Sequence, residues 1–470
     1  MQNQSFEIPV RLQQLISAEQ AYHYRIVPFE NINGRLSFKS DGANLDQLRD
    51  ELKVILGVDV QVFDDSSDNI NKFLATNFRK SKSAQSENLN YSSDFLEKML
   101  LNAKEVGSSD IHFEPYEKNC RIRFRLDGKL KEQYVIAIEE YPVIINKIKI
   151  RAQLDISEKR LPQDGRITIS TNTDEFDIRV STLPTLHGEK IVLRILSKDA
   201  DDINLDELGF TPLELKRYKE ATKKPNGIIL ISGPTGSGKT TTLYATLKLL
   251  NDSKTNILTI EDPIEYTLEG VNQVQLKENI GLDFASTLRT FLRQDPDIIM
   301  VGEIRDAKTA NMAIRAALTG HLVLSTIHTN SAWATVSRLI DMDIPSFLIA
   351  STLNVSVAQR LVRKLCNHCK KEVSANPEDF PEEFETPSDL KFYCKPVGCD
   401  ECYHTGYHGR KAIYEIIPIK NGLIDSIRNN NLDISDYLIE NKIPTLKDNA
   451  LQLINEGITD VEEVYSLLTN

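Results

Sequence analysis

Apolar and polar positions follow three different rhythms along this chain, and each predicts a different architecture. Over the first 80 residues the signals are short and mixed. An apolar-periodic stretch at 12–21 predicts a helix, and 24–28 and 35–38 read as short strands. After 45–56, the run 58–63 alternates with the period of two that sends successive side chains to opposite faces. A small α/β module over residues 1–80 is the expectation. Residues 81–93 are polar, serine-rich and aperiodic, as in a flexible linker.

The second rhythm starts near Asp94 and runs to about residue 197. Residues 95–104 have helical spacing, while 111–114, 120–126 and 129–135 read as strands. Asp127-Gly128 between two of them suits a tight hairpin turn. A helix is predicted at 141–152, with more strands at 166–170, 176–181 and 191–196. The acidic stretch within 198–207 predicts a second linker.

From 208 to 470 strands alternate with helices. The runs 228–232, 257–261, 297–301 and 322–326 are mostly apolar rather than alternating. Such runs suit strands buried on both faces, in a mainly parallel sheet with helices on either side. No stretch approaches 18 consecutive apolar residues, so no bilayer span is expected. The opening Met1-Gln-Asn-Gln-Ser-Phe-Glu lacks the basic region and apolar core of a secretory signal, which predicts a cytoplasmic chain.

Composition sharpens this picture at three points. The 470 residues suggest about three domains at roughly 150 residues each. With 56 Lys+Arg against 68 Asp+Glu the net charge is −12, which argues against a uniformly basic nucleic-acid-binding surface. Of six cysteines, Cys120 stands alone, whereas Cys366, Cys369, Cys394, Cys399 and Cys402 fall within 37 positions. In a reducing compartment such clustering points to metal rather than disulfides.

The strongest chemical signal is Gly233-Pro234-Thr235-Gly236-Ser237-Gly238-Lys239-Thr240-Thr241. It follows an apolar strand and precedes a helix-compatible run at 241–250, which is the context of a phosphate loop. Glycines let the backbone curl so that N–H groups point at phosphate oxygens, and the helix N-terminus adds positive potential. Lys239 would reach the β- and γ-phosphates, and the Thr240 hydroxyl would ligate Mg²⁺. Downstream, Thr259-Ile-Glu261-Asp262-Pro-Ile-Glu265-Tyr266 delivers three carboxylates to a strand end, where acids can activate water or hold magnesium, although taken alone the segment also suits a solvated acidic loop. A second apolar strand ends in Gly302-Glu303, a Walker-B-like arrangement with Gly-Glu where many such enzymes end in Asp. His321 and His328 bracket a third strand and are expected as phosphate sensors.

Together these residues resemble the secretion and type IV pilus assembly ATPases, the GspE/PilB-like family. The phosphate loop, the aspartate box at 259–266, the run 292–306 and the histidine box at 319–330 match it. So do Ser108-Ser-Asp-Ile-His-Phe-Glu-Pro115, Leu161-Pro-Gln-Asp-Gly-Arg166 and Arg179-Val-Ser-Thr-Leu-Pro184, and the likeness covers roughly 90–470. The resemblance implies a RecA-like P-loop NTPase domain, preceded by a smaller PAS-like α+β domain and the N-terminal α/β module. It implies ATP and Mg²⁺ as cofactors and a homo-hexameric ring. Glu265 would be the catalytic carboxylate with Glu261 next in line, Glu303 would organise Mg²⁺, and Arg166, Arg179 and Arg194 could reach a nucleotide across an interface. Implied partners are an inner-membrane platform protein and a membrane-anchored docking protein, with the motor peripheral at the cytoplasmic face of the inner membrane.

Cys366-x-x-Cys369 and Cys399-x-x-Cys402 each suit one side of a tetrahedral thiolate site, although their 29-residue spacer is longer than in compact ribbons. The segment from Gly398 to Arg410 resembles the family's zinc-binding segment, so Zn²⁺ is expected, with His368, His404 and Cys394 as alternative ligands. Residues 22–78 look like the latter half of the family's N-terminal domain. The Arg-Leu-Gly repeats that some relatives use for cyclic di-GMP are absent, so no such site is expected. A RecA-like motor acting on nucleic acid is the competing reading, disfavoured by charge and by the lack of a Lys/Arg tract with interleaved aromatics. A nucleotide-binding regulator without turnover is disfavoured by the full set of carboxylates. The tetracysteine segment and the N-terminal module speak against a retraction motor.

Overall fold

The structure, a computed structural model, describes residues 6, 8–32, 34–78, 95–170, 175–196, 203–384, 387, 390–402, 405–431 and 433–469. The linker expected at 81–93 lies outside these residues, as do 198–202 of the second linker and His404. The chain forms two compact units. One comprises Met1–Ser197, Cys366–Lys370 and Pro396–His408; the other comprises Lys198–Leu365, Lys371–Lys395 and Gly409–Asn470.

In the first unit, the single helix expected at 12–21 is instead two, α1 (Val10–Gln13) and α2 (Ala18–Tyr24). Ser17 separates them: its hydroxyl accepts from the Gln20 N–H while the Gln20 side chain accepts from the Ser17 N–H, a capping box that starts a new helix. Arg25, at φ +51°, closes α2, so the strand expected from residue 24 begins at Ile26. Strands β1 (Ile26–Ile32), β2 (Arg35–Ser40) and β3 (Val60–Asp64) form a three-stranded sheet in that order. Helices α3 (Leu45–Leu56) and α4 (Ser67–Asn77) complete the module, and Leu52, Ile70 and Leu74 join Ile26, Val27 and Phe38 in its core.

The α+β part follows with α5 (Phe95–Glu105), β4 (Asp110–Pro115), β5 (Asn119–Leu126), β6 (Lys129–Ala137), α6 (Tyr141–Arg151), β7 (Gln163–Ser170), β8 (Glu175–Thr185) and β9 (Gly188–Leu196). Its six strands pair antiparallel in the order β6-β5-β4-β9-β8-β7. Asp127 and Gly128 both take positive φ between β5 and β6, as the hairpin reading required. Alternate residues, including Ile111, Phe113, Ile122, Phe124, Ile178 and Leu193, pack against Met99, Leu100, Ile145 and Ile148 of the two helices. The intervening residues therefore project from the opposite face.

The second unit opens on a 3₁₀ turn at Leu205–Glu207, so the end of the expected linker is part of the fold, with Leu205 in the core. Next come α7 (Pro212–Thr222), β10 (Gly227–Ser232), α8 (Lys239–Leu250), β11 (Ile257–Glu261), β12 (Asn272–Gln275), α9 (Phe284–Phe291), β13 (Ile298–Val301), α10 (Ala307–Leu318) and β14 (Leu322–Ile327). Further strands are β15 (Leu353–Leu365), β16 (Lys371–Ser374), β17 (Phe392–Lys395) and β18 (Tyr407–Pro418). The main sheet has seven strands in the order β12-β11-β13-β14-β10-β15-β18, and β12, β11, β13, β14, β10 and β15 pair parallel. The four apolar runs are its centre.

Both faces of β10 are covered. Ile228 and Leu230 pack in a cluster with α9, α10 and the C-terminal helices, while Ile229 and Ile231 pack with α7 and α8. Helix α8 carries polar side chains into this second layer: Thr242 donates to Gln359 Oε1 (2.9 Å), and the Thr246 hydroxyl hydrogen-bonds the Tyr218 hydroxyl (2.8 Å).

Candidate functional site

Parallel pairing brings the C-terminal ends of β10, β11, β13 and β14 to one edge of the sheet, and the polar residues gather there. The apolar strands place few polar side chains elsewhere. From β10 the chain enters the phosphate loop. Gly233, at φ +149°, passes so close to β15 that an added Cβ would stand 2.5 Å from the Gln359 carbonyl and 2.6 Å from Ser237 Oγ. At Gly238, φ +86°, a Cβ would meet Gln359 Nε2 at 2.8 Å. The ammonium of Lys239 is buried and donates to the carbonyls of Gly233 (2.8 Å) and Pro234 (3.0 Å). Burial lowers its pKa, the nearby Arg360 charge adds to this, and Glu303 opposes it.

Three observations fit a bound nucleotide phosphate. Among the described residues the buried cation donates to carbonyls alone and the buried Ser237 hydroxyl has no hydrogen-bond partner, and the loop curls where no Cβ fits. Thr240, next along, is exposed at the start of α8. Pro234, Thr235 and Gly236 form the exposed crest of the loop, and Thr241 is half-buried.

The acids divide into two kinds. Glu261, the last residue of β11, is 3% exposed. One carboxylate oxygen accepts from the Tyr244 hydroxyl; the other accepts from Thr259 Oγ1 (2.6 Å) and Gln273 Nε2 (3.1 Å). A carboxylate so fully engaged by protein donors is poorly placed to act as a base. Glu265, four residues on, is half-buried in the following loop, and its N–H points to the Tyr244 hydroxyl at 3.3 Å. Glu303 follows β13, pairs with Arg305 and lies 3.5 Å from His328 Nε2, while Arg305 also approaches Asp262 at 3.7 Å.

His328 therefore stands with the acids at the phosphate-loop edge. His321 does not. It precedes β14, its carbonyl accepts from the Gly227 N–H at the start of β10, and its Nδ1 lies 2.8 Å from the Ala316 carbonyl. Six residues of strand separate the two histidines, about 20 Å at the usual rise. The sensor role expected of both is compatible with the geometry of His328 only. The sequence contained the signal, because in a parallel sheet the residue before a strand lies at the edge away from the site.

Two residues at this edge were not foreseen. Gln359 and Arg360 on β15 flank the phosphate loop, with Arg360 donating to the carbonyls of Gln359 (2.9 Å) and Asn330 (2.7 Å). Their signal is weak in sequence, because the loop they touch lies more than a hundred residues upstream.

The three arginines expected to serve a nucleotide occupy one row of the six-stranded sheet. Arg166 lies opposite Arg179, and Arg179 opposite Arg194, so all three project from one face. The row continues through Asp110, which accepts from Arg194 Nε at 2.9 Å, to Arg125 at 3.4 Å. Arg166 pairs with Asp177, yet its side chain remains 64% exposed.

The four cysteines of the two knuckles come together. All four Sγ atoms lie within 4.8 Å of one another, with Cys366–Cys399 at 3.8 Å, Cys369–Cys402 at 3.7 Å and Cys399–Cys402 at 3.8 Å. Tetrahedral thiolates around zinc at about 2.3 Å would stand about 3.8 Å apart, so the set fits that ion. Backbone N–H groups of Gly398, Cys399 and Gly406 point at the sulfurs at 3.2–3.3 Å, as around charged thiolates. Cys394 is on β17, opposite Glu372, and neither it nor His368 is among the grouped ligands.

Comparison with known proteins agrees with this geometry. The family described as "Type II/IV secretion system protein" matches residues 85–466. The type IV pilus assembly ATPase PilB of Pseudomonas aeruginosa is 48% identical over 79% of this chain and 66% of its own length. The type II secretion system ATPase E of Vibrio cholerae is 45% identical over 78% of this chain and 73% of its own. The chain thus spans about two thirds to three quarters of the curated relatives it matches. Among solved structures, the pilus retraction motor PilT with bound ADP aligns with a TM-score of 0.54 at 26% identity, covering 78% of this chain and 95% of that one. The Legionella pneumophila ATPase DotB, at 22% identity, shares the fold with a TM-score of 0.60 over 82% and 97% of the two chains. With its phosphate loop, strand-end acids and mainly parallel sheet, the chain belongs to the type II/IV secretion system protein family of P-loop ATPases.

Proposed function

We propose that this chain is a Mg²⁺-dependent ATP hydrolase that powers assembly of pilin-like subunits in a type IV pilus or type II secretion machine. The observation that carries the reading is the polar edge where phosphate loop, aspartate box, Glu303 and His328 converge at the ends of the apolar central strands. Lys239 and the loop N–H groups would hold the β- and γ-phosphates. Thr240 would ligate magnesium and Glu303 would hold it through water; the ion's chemistry is to neutralise phosphate charge. Glu265 is the base that takes a proton from the attacking water, since Glu261 is already engaged.

The reading extends to the assembly. The motor is a cytoplasmic homo-hexamer at the inner-membrane face, working on a membrane platform protein and docked through residues 1–80 to a membrane-anchored partner. Arg166, Arg179 and Arg194 supply cations to a neighbouring subunit's nucleotide, a role suited to the fixed fork of the guanidinium group. What supports this is their common row on one face. The cysteine quartet is a structural zinc site whose four ligands leave no open position.

Phosphate release from purified protein tests the core of the reading. Lys239→Ala and Glu265→Gln should each lower turnover by at least roughly 10²-fold; normal release from either variant would falsify it. Metal analysis should find one zinc per chain, and Cys399→Ser should lose it together with local folding, because binding and folding are coupled.

A further inference from the structure

Tyr244 is the sixth residue of the phosphate-loop helix α8 and is almost fully buried, so its hydroxyl needs partners inside the protein. It has four. The hydroxyl donates to Glu261, and its oxygen faces the backbone N–H groups of Glu265 (3.3 Å) and Tyr266 (3.4 Å) and the side-chain amide of Gln273 (3.4 Å). Gln273 closes the circuit by donating to Glu261 (3.1 Å) and to the Tyr266 carbonyl (2.8 Å), while accepting from the Leu268 N–H (2.8 Å). The Tyr266 ring also packs edge-on against the Tyr244 ring, with centroids 5.5 Å apart. Every one of these partners belongs to β11, β12 or the connection between them. A single hydroxyl thus ties the helix that begins at the phosphates to the loop that carries Glu265.

We infer that Tyr244 is a positioning residue for hydrolysis: its hydroxyl, oriented by Glu261, fixes the backbone at Glu265 relative to the phosphate loop. The inference rests on the proposed role of Glu265 as the base. It also gives Glu261 a task different from that of its neighbour. A buried carboxylate that accepts from Tyr244 obliges the hydroxyl to donate toward it, leaving the phenol lone pairs for the two N–H groups. Burial, reinforced by the negative charge of Glu261, holds the Tyr244 phenol far above its ordinary pKa, so it remains a donor throughout the working range.

Tyr244→Phe tests this with little change of volume. Because Lys239 and the loop glycines are untouched, affinity for a fluorescent ATP analogue and KM for ATP are expected to stay within about twofold, while kcat falls between roughly 10- and 100-fold, the scale of a misplaced catalytic group. In a Glu265→Gln background the same substitution should cost nothing more, since a positioning effect vanishes when the positioned group is gone. Wild-type kcat in Tyr244→Phe, loss of nucleotide affinity in parallel with kcat, or a full additional loss in the double variant would each overturn the inference. Normal turnover in Glu265→Gln alone would instead remove the base assignment beneath it. The two failures are therefore distinguishable: the first leaves Glu265→Gln inactive, and the second does not.

Discussion

The two large sheets handle charge in opposite ways. In the six-stranded antiparallel sheet, helices cover one face, and the other carries charge in rows from strand to strand, with the acids Asp110 and Glu114 buried beside more accessible arginines: Arg166, Arg179, Arg194, Asp110 and Arg125 in one, Arg121 and Glu114 in another. In the seven-stranded sheet, both faces of the central strands are buried, so charge has only the strand ends to occupy. The first arrangement yields a broad polar face, built from pairs on neighbouring strands between residues 110 and 194. The second yields a small site gathered from stretches more than a hundred residues apart. Burial on two faces concentrates chemistry, and burial on one spreads it.

Three experiments would break or sharpen that contrast. The largest effect belongs to the apolar centre of the parallel sheet. Leu230→Ala, at a fully buried position on β10, should destabilise its unit by about 2–5 kcal/mol in denaturant unfolding. Arg166→Ala, on the displayed face with an exposed side chain, should cost no more than about 1 kcal/mol in the same measurement. Equal losses would mean that the open face is as structural as the closed one.

A smaller effect concerns acid. Burial alone would raise the pKa of Glu114, but hydrogen bonds from Arg123, Arg121 and Lys190 outweigh it and bring it down to about 2 from an ordinary 4.5. A depressed carboxylate stabilises the fold fully above the unfolded value, and that contribution is lost as pH falls from about 4.5 toward about 2. Thermal melts across this window should show a slope that Glu114→Gln flattens. An unchanged slope would remove Glu114 as its source. The smallest effect is predicted at the wrong end of β14: His321→Ala should leave ATP turnover within about twofold of the parent, whereas a loss as large as that of Lys239→Ala would return His321 to the site.

The sequence foretold the parallel sheet through its apolar runs, and the phosphate loop and cysteine pairs through their spacing. What it hid was held by partners remote in sequence. Strand β15 carries Asn354, Ser356, Gln359 and Arg360, too polar to read as a buried strand. Each is satisfied from elsewhere: Asn354 by the Asn226 carbonyl, Ser356 by the Ala332 carbonyl, Gln359 by Thr242, and Arg360 in part by the Asn330 carbonyl. The family resemblance ranked Glu265 above Glu261, but the residues alone did not show the bond from Tyr244, 17 residues before Glu261, that engages the latter. The split between α1 and α2 was visible in principle, since Ser17 and Gln20 have capping-box spacing, but apolar periodicity through 12–21 masked it.

The threonines of α8 have a mechanical consequence. Thr242 and Thr246, one turn apart, fasten one side of the helix to Gln359 and Tyr218, while Tyr244 fastens another to Glu261. Turning the helix about its own axis would break all three buried bonds at once, each leaving groups unsatisfied at about 1–3 kcal/mol. The same bonds resist sliding as well as turning, so a push applied to its first turn is shared with the elements that hold Gln359, Tyr218 and Glu261.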